Sequence, residues 1–229
     1  MRRIAIPVVV GAFVVSAATL SADEATSGAL IQSTKVAATR DGVDVVFTVR
    51  RADGAMPPLL NRLVLDFPRG TALHSRLFQR CGRARLQAQG PSGCPPRARV
   101  GSGVIVAMSP IEPKRVDATV TAFNGVSPNG RFRRALLVHV RPEVGPQFVL
   151  VAAWKGNARN LRLDLAWPPP IKILAGVPPD PAPTRISLSL DARRGTATYI
   201  GARCRGEHHA TGHYADGSVV TSTARSSCN

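Results

Sequence analysis

Apolar residues recur at every second position over many short stretches of this chain. Residues 43–50 and 62–67 show the pattern most clearly. A period of two is that of a β-strand with one face in the core, so we predict strands here. The side chains expected to face the core are Val45, Phe47, Val49, Leu63, Leu65 and Phe67. Similar patterns predict strands over residues 31–39, 43–50, 62–67, 98–108, 116–123, 135–141, 147–154, 160–166, 184–190, 196–204, 208–214 and 218–225.

Turn residues separate these stretches. Asp-Gly pairs at 41–42 and 216–217 each lie between two predicted strands, which is typical of hairpins. The proline-rich stretch 168–183 lacks the donors of a central strand, so we expect an extended crossing segment there. Many short strands spaced by about ten residues indicate a sandwich or a barrel. We predict an all-β fold, an antiparallel β-sandwich-like domain over residues 29–229.

The N-terminus has the pattern of a secretory signal peptide. Arg2 and Arg3 precede an apolar run from Ile4 to Ala18, which is short for a membrane span. We predict a signal peptide over residues 1–18, with cleavage after Ala22 as the second choice and a retained anchor as the alternative. Residues 19–28 are small and polar, and we expect a flexible mature N-terminus. We expect no later membrane span and a secreted, extracellular or cell-wall associated protein.

The four cysteines indicate disulfides in an exported chain. They are Cys81, Cys94, Cys204 and Cys228, and four cysteines allow three pairings. Because they form two close couples, we predict Cys81–Cys94 and Cys204–Cys228. Helix formers over residues 83–89, followed by Gly90 and Pro91, predict one short helix inside the first disulfide-closed loop.

The chain is strongly basic. It has 30 basic and 14 acidic residues and a pI near 11.4, and removing Arg2 and Arg3 leaves a net charge of +14. From Phe67 to Ile111 there are arginines but no acidic residue. Such a charge favours binding to polyanions. The alternative explanation is that GC-rich codon usage has placed many arginines on a solvated surface. The candidate polyanion-binding residues are Arg76, Arg80, Arg83, Arg85, Arg97 and Arg99, with Arg131, Arg133 and Arg134 as a second cluster.

Motifs of catalysis and cofactor binding are absent from the sequence. There is no G-x-S-x-G, H-E-x-x-H, Walker or Rossmann pattern, and we predict no cofactor. Glu207, His209 and His213 alternate on one predicted strand face and form a weak metal-site candidate, the alternative being a solvent-facing strand. Asp164, Asp180 and Asp191 are scattered along the chain. Specific DNA recognition is not expected, because no DNA-binding motif is present and aromatic residues make up 5%.

The order of several short motifs resembles a family of uncharacterised secreted proteins from high-GC Gram-positive bacteria. In chain order the motifs are Cys81, Cys94-Pro95, Arg99-Val100-Gly101-Ser102-Gly103, Thr121-Ala122-Phe123-Asn124-Gly125, Cys204, Tyr214-Ala215-Asp216-Gly217 and Cys228. The resemblance implies export, a β-rich fold and the two disulfides, and it implies no activity. Glu207-His208-His209 departs from the aromatic residue that the family tends to carry after its third cysteine.

These observations favour an exported, non-catalytic binding or structural module that acts at or near the cell envelope. Its expected partners are anionic cell-wall or extracellular polymers, and its oligomeric state is open. The alternative is a secreted hydrolase whose site is assembled from distant strands.

We predict that protein recovered from culture medium begins at Thr19 or Asp23, because signal peptidase would cut after Ala18 or Ala22. N-terminal sequencing of the secreted protein measures this. Membrane-held material that still begins at Met1 would show that the segment is an anchor.

Overall fold

The fold is a large antiparallel sheet with one short helix. The computed structural model describes residues 28–109, 115–126, 134–167, 181–201 and 206–228. The strands are β1 Leu30–Thr39, β2 Gly42–Arg51, β3 Leu60–Asp66, β4 Ala72–Leu73, β5 Arg99–Met108, β6 Arg115–Gly125, β7 Ala135–Pro142, β8 Phe148–Lys155, β9 Arg162–Ala166, β10 Ala182–Leu190, β11 Arg193–Arg194, β12 Ala197–Thr198, β13 Ile200–Gly201, β14 Glu207–Tyr214, β15 Val219–Arg225 and β16 Ser227–Cys228. The helix α1 spans Arg83–Gln89, and single 3-10 turns span Ser75–Leu77, Pro91–Gly93 and Pro96–Ala98.

Twelve strands among the described residues form one sheet in the order β15-β14-β3-β9-β8-β7-β6-β5-β10-β2-β1-β16. Neighbours are antiparallel except for β1 and β16, which are parallel. The predicted antiparallel all-β fold is therefore confirmed. Within the described part of the chain, no helix has the length and apolar character that crossing a membrane requires.

The sheet curls until its two ends meet, and side chains join them. Gln32 on β1 donates from Nε2 to the Ala210 carbonyl (2.7 Å) and to Ser222 Oγ (3.0 Å). Tyr214 donates its hydroxyl to Gln32 Oε1 (2.8 Å), and Thr34 Oγ1 lies 2.6 Å from Ser222 Oγ. This polar seam gives the fold its sandwich-like character, because the sheet is brought back onto itself.

The inner face of the curled sheet holds the main core. The six side chains predicted to face inward are buried, with Leu65 only partly so. An apolar cavity of about 30 Å³ remains inside, lined by residues such as Phe47, Leu136 and Leu163. On β7 every side chain from Ala135 to Val140 is buried. A strand this apolar must be covered on both faces.

Two sequence predictions about strands were wrong. The predicted strand over 196–204 is interrupted, because Tyr199 turns its ring into the core and separates β12, which pairs with β11, from β13, which pairs with β4. Ala182 and Pro183 belong to β10 rather than to the crossing segment. A register shift between Pro183 and Arg185 accommodates the proline, which has no amide hydrogen to donate. Residues 168–180 of the predicted crossing, the signal peptide and Cys204 lie outside the described residues.

A buried histidine in this core makes the stability depend on pH. His208 is 3% exposed, packs edge-on against Phe67 (ring centroids 5.5 Å apart), and has no hydrogen-bond partner for Nε2 among the described residues. Burial, aided by the neighbouring His209, lowers the pKa of His208 from 6.5 to about 4. Between these values the unfolded chain binds the proton and the folded chain does not, so stability falls as the pH drops from 6.5 towards 4.

We predict that His208→Phe flattens this pH dependence. The loss of unfolding free energy between pH 6.5 and pH 4 should shrink by up to about 3 kcal/mol, at about 1.4 kcal/mol per pKa unit. Urea unfolding at a series of pH values measures it. His213→Gln, on the opposite face of the same strand, should keep the wild-type dependence. An unchanged slope in His208→Phe would contradict the assignment.

Candidate functional site: the arginine-rich cap

Residues 75–99, which we call the cap, pack against β6, β7 and β8: residues 81–98 cover the outer face of these strands, and Phe78 packs in the main core. The helix α1 turns Leu86 inward, and this fully buried side chain packs in a second small core with Phe123, Leu137 and Val149. Gln87 at the helix surface donates from Nε2 to the Gln147 carbonyl (3.3 Å). The cap is therefore the layer that buries the second face of β7.

The helix begins and ends where the sequence predicts. It runs from Arg83 to Gln89, and Gly90 ends it with a φ of +66°, a conformation that favours glycine. Gly90 also backs onto His139, the buried histidine on the outer face of β7. Burial lowers the pKa of His139, so this side chain is neutral beneath the cap at pH 7.

A disulfide closes the cap, as predicted. Cys81 is bonded to Cys94, with Cα atoms 5.4 Å apart. A loop of this size constrains the unfolded chain by about 3 kcal/mol in the loop-entropy model. Cys81 also bonds to the end of β6: its amide donates to the Asn124 carbonyl (2.9 Å), and its carbonyl accepts from the Val126 amide (3.3 Å). Cys204 lies outside the described residues, so the predicted Cys204–Cys228 pair stays a prediction.

A buried asparagine holds the first part of the cap against the core. Asn124 is 1% exposed, and its Nδ2 donates to the carbonyls of Ser75 (2.9 Å), Phe78 (3.1 Å) and Gln79 (3.1 Å). The Tyr199 hydroxyl donates to Asn124 Oδ1 (3.3 Å).

Trp154 completes this network from the core side. Its Nε1 donates to the Tyr199 hydroxyl (3.2 Å), and both rings are buried. Burial raises the pKa of Tyr199, so its hydroxyl keeps its proton and can donate. The chain of hydrogen bonds thus runs from the main core to the backbone of the cap. Sequence reasoning missed this role, because Asn124 followed by Gly125 resembles the end of a strand at a turn.

All six candidate arginines lie on this cap with exposed side chains. They are Arg76, Arg80, Arg83, Arg85, Arg97 and Arg99. Cys81 pairs with Gly125 and Arg99 pairs with Phe123. Cys81 and Arg99 are thus held two residues apart along β6, roughly 7 Å. The fold therefore gathers arginines that are up to 23 positions apart in the chain, from Arg76 to Arg99, onto one layer.

The cap arginines make no ion pair within the described residues, whereas the ion pairs found there lie elsewhere. The pairs are Arg51–Asp53, Arg62–Asp164, Arg115–Asp117, Lys155–Asp164, Arg162–Asp66 and Arg193–Asp41. Five of the described carboxylates, those of Asp41, Asp53, Asp66, Asp117 and Asp164, are engaged in these pairs, and none of these pairs involves a cap arginine. Arg194 adds a further cation at the border of the cap, with the guanidinium 5.6 Å from the centre of the Phe78 ring.

Of the second arginine cluster only Arg134 is described. Its guanidinium donates to the Gly156 carbonyl (2.6 Å), so it serves the turn after β8. Arg131 and Arg133 lie outside the described residues.

The weak metal-site candidate does not converge. Glu207, His209 and His213 do share the outer face of β14, but Glu207 and His213 are six residues apart on an extended strand, roughly 20 Å. No group of three potential metal ligands occurs within the described residues. His209 Nδ1 instead lies 3.2 Å from Thr223 Oγ1 on β15.

The arrangement closest to a hydrolase site is a cross-strand row on this outer face. Thr223, His209 and Asp66 lie side by side on β15, β14 and β3. The Asp66 carboxylate, however, accepts both hydrogen bonds of the Arg162 fork (2.5 and 3.2 Å), and His209 and Thr223 are exposed on the sheet surface. Asp66 is therefore engaged by arginine rather than orienting a histidine.

The Asp164 carboxylate likewise forms ion pairs, with Arg62 and Lys155. Burial pushes the pKa of Asp164 up, but hydrogen bonds from Arg62 (both 2.6 Å) and Lys155 (2.5 Å) outweigh this and hold it below the usual value. A carboxylate held in this way stays ionised and cannot act as a general acid near neutral pH. Asp191 is exposed, and Asp180 lies outside the described residues.

Comparisons of the chain with family models, with curated proteins and with solved structures found no match. The resemblance to secreted proteins of high-GC Gram-positive bacteria therefore stays a prediction, and function must be argued from the geometry of the cap.

We predict that Asn124→Ala loosens the cap. It removes the two N–H donors that three cap carbonyls share, and an unsatisfied buried group costs about 1–3 kcal/mol, so a loss of about 2–6 kcal/mol in unfolding free energy is expected. Urea unfolding measures the loss, and amide hydrogen exchange should accelerate most over residues 75–99. Tyr199→Phe should lose about 2–3 kcal/mol, since it removes the hydrogen bond to Asn124 Oδ1 and the acceptor of Trp154 Nε1.

Asn61→Ala, on the exposed side of β3, is the control and should change stability by less than about 0.5 kcal/mol. Equal effects at Asn61 and Asn124 would show that the buried amide does not anchor the cap.

Proposed function

We propose that this protein is an exported, non-catalytic binding or structural module that binds polyanions through its cap, at or near the cell envelope. The observation that carries the proposal is the set of six exposed arginines in and beside one disulfide-closed loop, without an ion pair among the described residues. The partners that fit this chemistry are anionic cell-wall or extracellular polymers.

The chemistry of arginine supports an anionic ligand. A guanidinium presents a planar fork of donors that matches the two oxygens of a phosphate or carboxylate. Where such forks meet carboxylates in this protein, as in Arg62–Asp164, both donors are used at 2.6 Å. The cap arginines keep this capacity, because none of the ion pairs among the described residues involves them.

The rigidity of the cap supports binding rather than mere solubility. The disulfide and the Asn124 bonds fix the backbone that carries the arginines. The entropy lost on binding is then mainly that of the arginine side chains, because the loop that carries them is already ordered. Surface arginines that result from codon bias alone would not require a backbone fixed in this way.

We predict that Arg83→Glu/Arg85→Glu lowers the salt concentration at which the protein elutes from heparin. Both residues are exposed on α1, and the double change alters the cap charge by four. Binding through several arginines should also weaken steeply with added salt, because bound counterions are released. The measurement is the elution position on a salt gradient, with circular dichroism as a check on folding.

The matched control is Arg50→Glu/Arg185→Glu. Arg50 on β2 and Arg185 on β10 are exposed, and they lie away from the cap: Arg185 pairs with Val106, seven positions along β5 from Arg99. This variant has the same net charge as the cap variant and should elute closer to wild type. Equal shifts would mean that net charge, and not the cap, is responsible for retention.

A further inference from the structure

The cap presents an exposed leucine among its arginines. Leu77 lies between Arg76 and Arg80 in chain order and is 54% exposed, whereas the next residue, Phe78, is 4% exposed. Phe78 packs edge-on against Tyr199, with ring centroids 5.2 Å apart. Leu77, at the end of the 3-10 turn over Ser75–Leu77, thus points outward, and Phe78, the next residue, points into the core.

The backbone holds Leu77 in this outward position. Asn124 Nδ2 binds the carbonyl of Ser75 on one side of Leu77 and the carbonyls of Phe78 and Gln79 on the other. Leu77 cannot turn inward without breaking these bonds or displacing Phe78. Its exposure is therefore a fixed feature of the cap.

A second apolar side chain lies on the same part of the protein. Val126 is 38% exposed, and its amide donates to the Cys81 carbonyl, so it borders the first cysteine of the cap. Arg76 and Arg80 flank Leu77 in the chain, Arg83 follows Cys81 by two positions, and all three arginines are exposed. A leucine set among arginines is typical of surfaces that bind at a membrane interface.

We propose that the ligand of the cap is an anionic lipid surface, with the arginines on lipid phosphates and Leu77 inserted below the headgroups. This rests on the proposed binding of polyanions by the cap, and it names the class of polyanion. A polymer that is polar throughout offers Leu77 no apolar contact, whereas a bilayer places acyl chains directly beneath its phosphates. Arginine stems can lie along the apolar layer while their guanidinium groups stay at the phosphates.

The experiment separates the apolar contact from the charge. Wild type and variants are sedimented with vesicles of equal parts phosphatidylglycerol and phosphatidylcholine, and with vesicles of phosphatidylcholine alone; each variant is also run on heparin. Leu77→Ser should lower binding to the anionic vesicles about tenfold, because the burial of one leucine side chain is lost. It should leave the heparin elution unchanged, since its charge is that of wild type.

Val219→Ser is the matched control. Val219 is 58% exposed, close to the value for Leu77. It begins β15, which is the first strand in the sheet order, whereas the cap lies on the middle strands β6, β7 and β8. It should bind both the vesicles and heparin like wild type. Arg83→Glu/Arg85→Glu should lose binding to both, and phosphatidylcholine alone should bind none of the proteins.

The outcomes distinguish this inference from the function on which it rests. If Leu77→Ser binds anionic vesicles like wild type, or if wild type binds heparin but not the vesicles, the lipid assignment is overturned and polyanion binding by the cap stands. If the cap variant and the Arg50/Arg185 variant behave alike on heparin, the proposed function itself fails.

Discussion

The buried amide of Asn124 is the contact on which the rest of this structure depends. It joins the main core, through Tyr199 and Trp154, to three carbonyl groups of the cap. The cap in turn buries the second face of β7, whose side chains would otherwise leave an apolar surface in water. A polar network of this kind is stable only when its members are satisfied together, so the two cores are coupled through one side chain.

The distribution of charge follows from the same arrangement. Ion pairs cluster on the outer face of β3, β8 and β9, where Asp66 and Asp164 meet Arg62, Lys155 and Arg162 across neighbouring strands. Exposed pairs contribute little to stability, but they decide which cations remain unpaired. The cap has no acidic residue of its own and keeps its full charge. Function is therefore best sought on the cap and not on the histidine-bearing strand β14.

The way the sheet closes also matters for the site. Its two ends are joined by Gln32, Thr34, Tyr214 and Ser222 rather than by a long run of apolar contacts. Burial raises the pKa of Tyr214, so its hydroxyl remains a donor in this seam. The interior that results is lined by apolar side chains, and its small cavity offers no group for chemistry.

The sequence by itself determined the local elements. Alternating apolar positions, Asp-Gly turns and the Gly90-Pro91 stop depend on a few neighbouring residues, which is why most strands, the helix and the Cys81–Cys94 pair were predicted correctly. Only the tertiary structure decided the break at Tyr199, the anchoring role of Asn124 and the unpaired state of the cap arginines. Each of these depends on partners that are distant in the chain: β3 lies between β9 and β14, and Asn124 reaches back 45 to 49 residues. Such contacts are set by how the strands pair across the whole sheet, and a local pattern carries no record of that pairing.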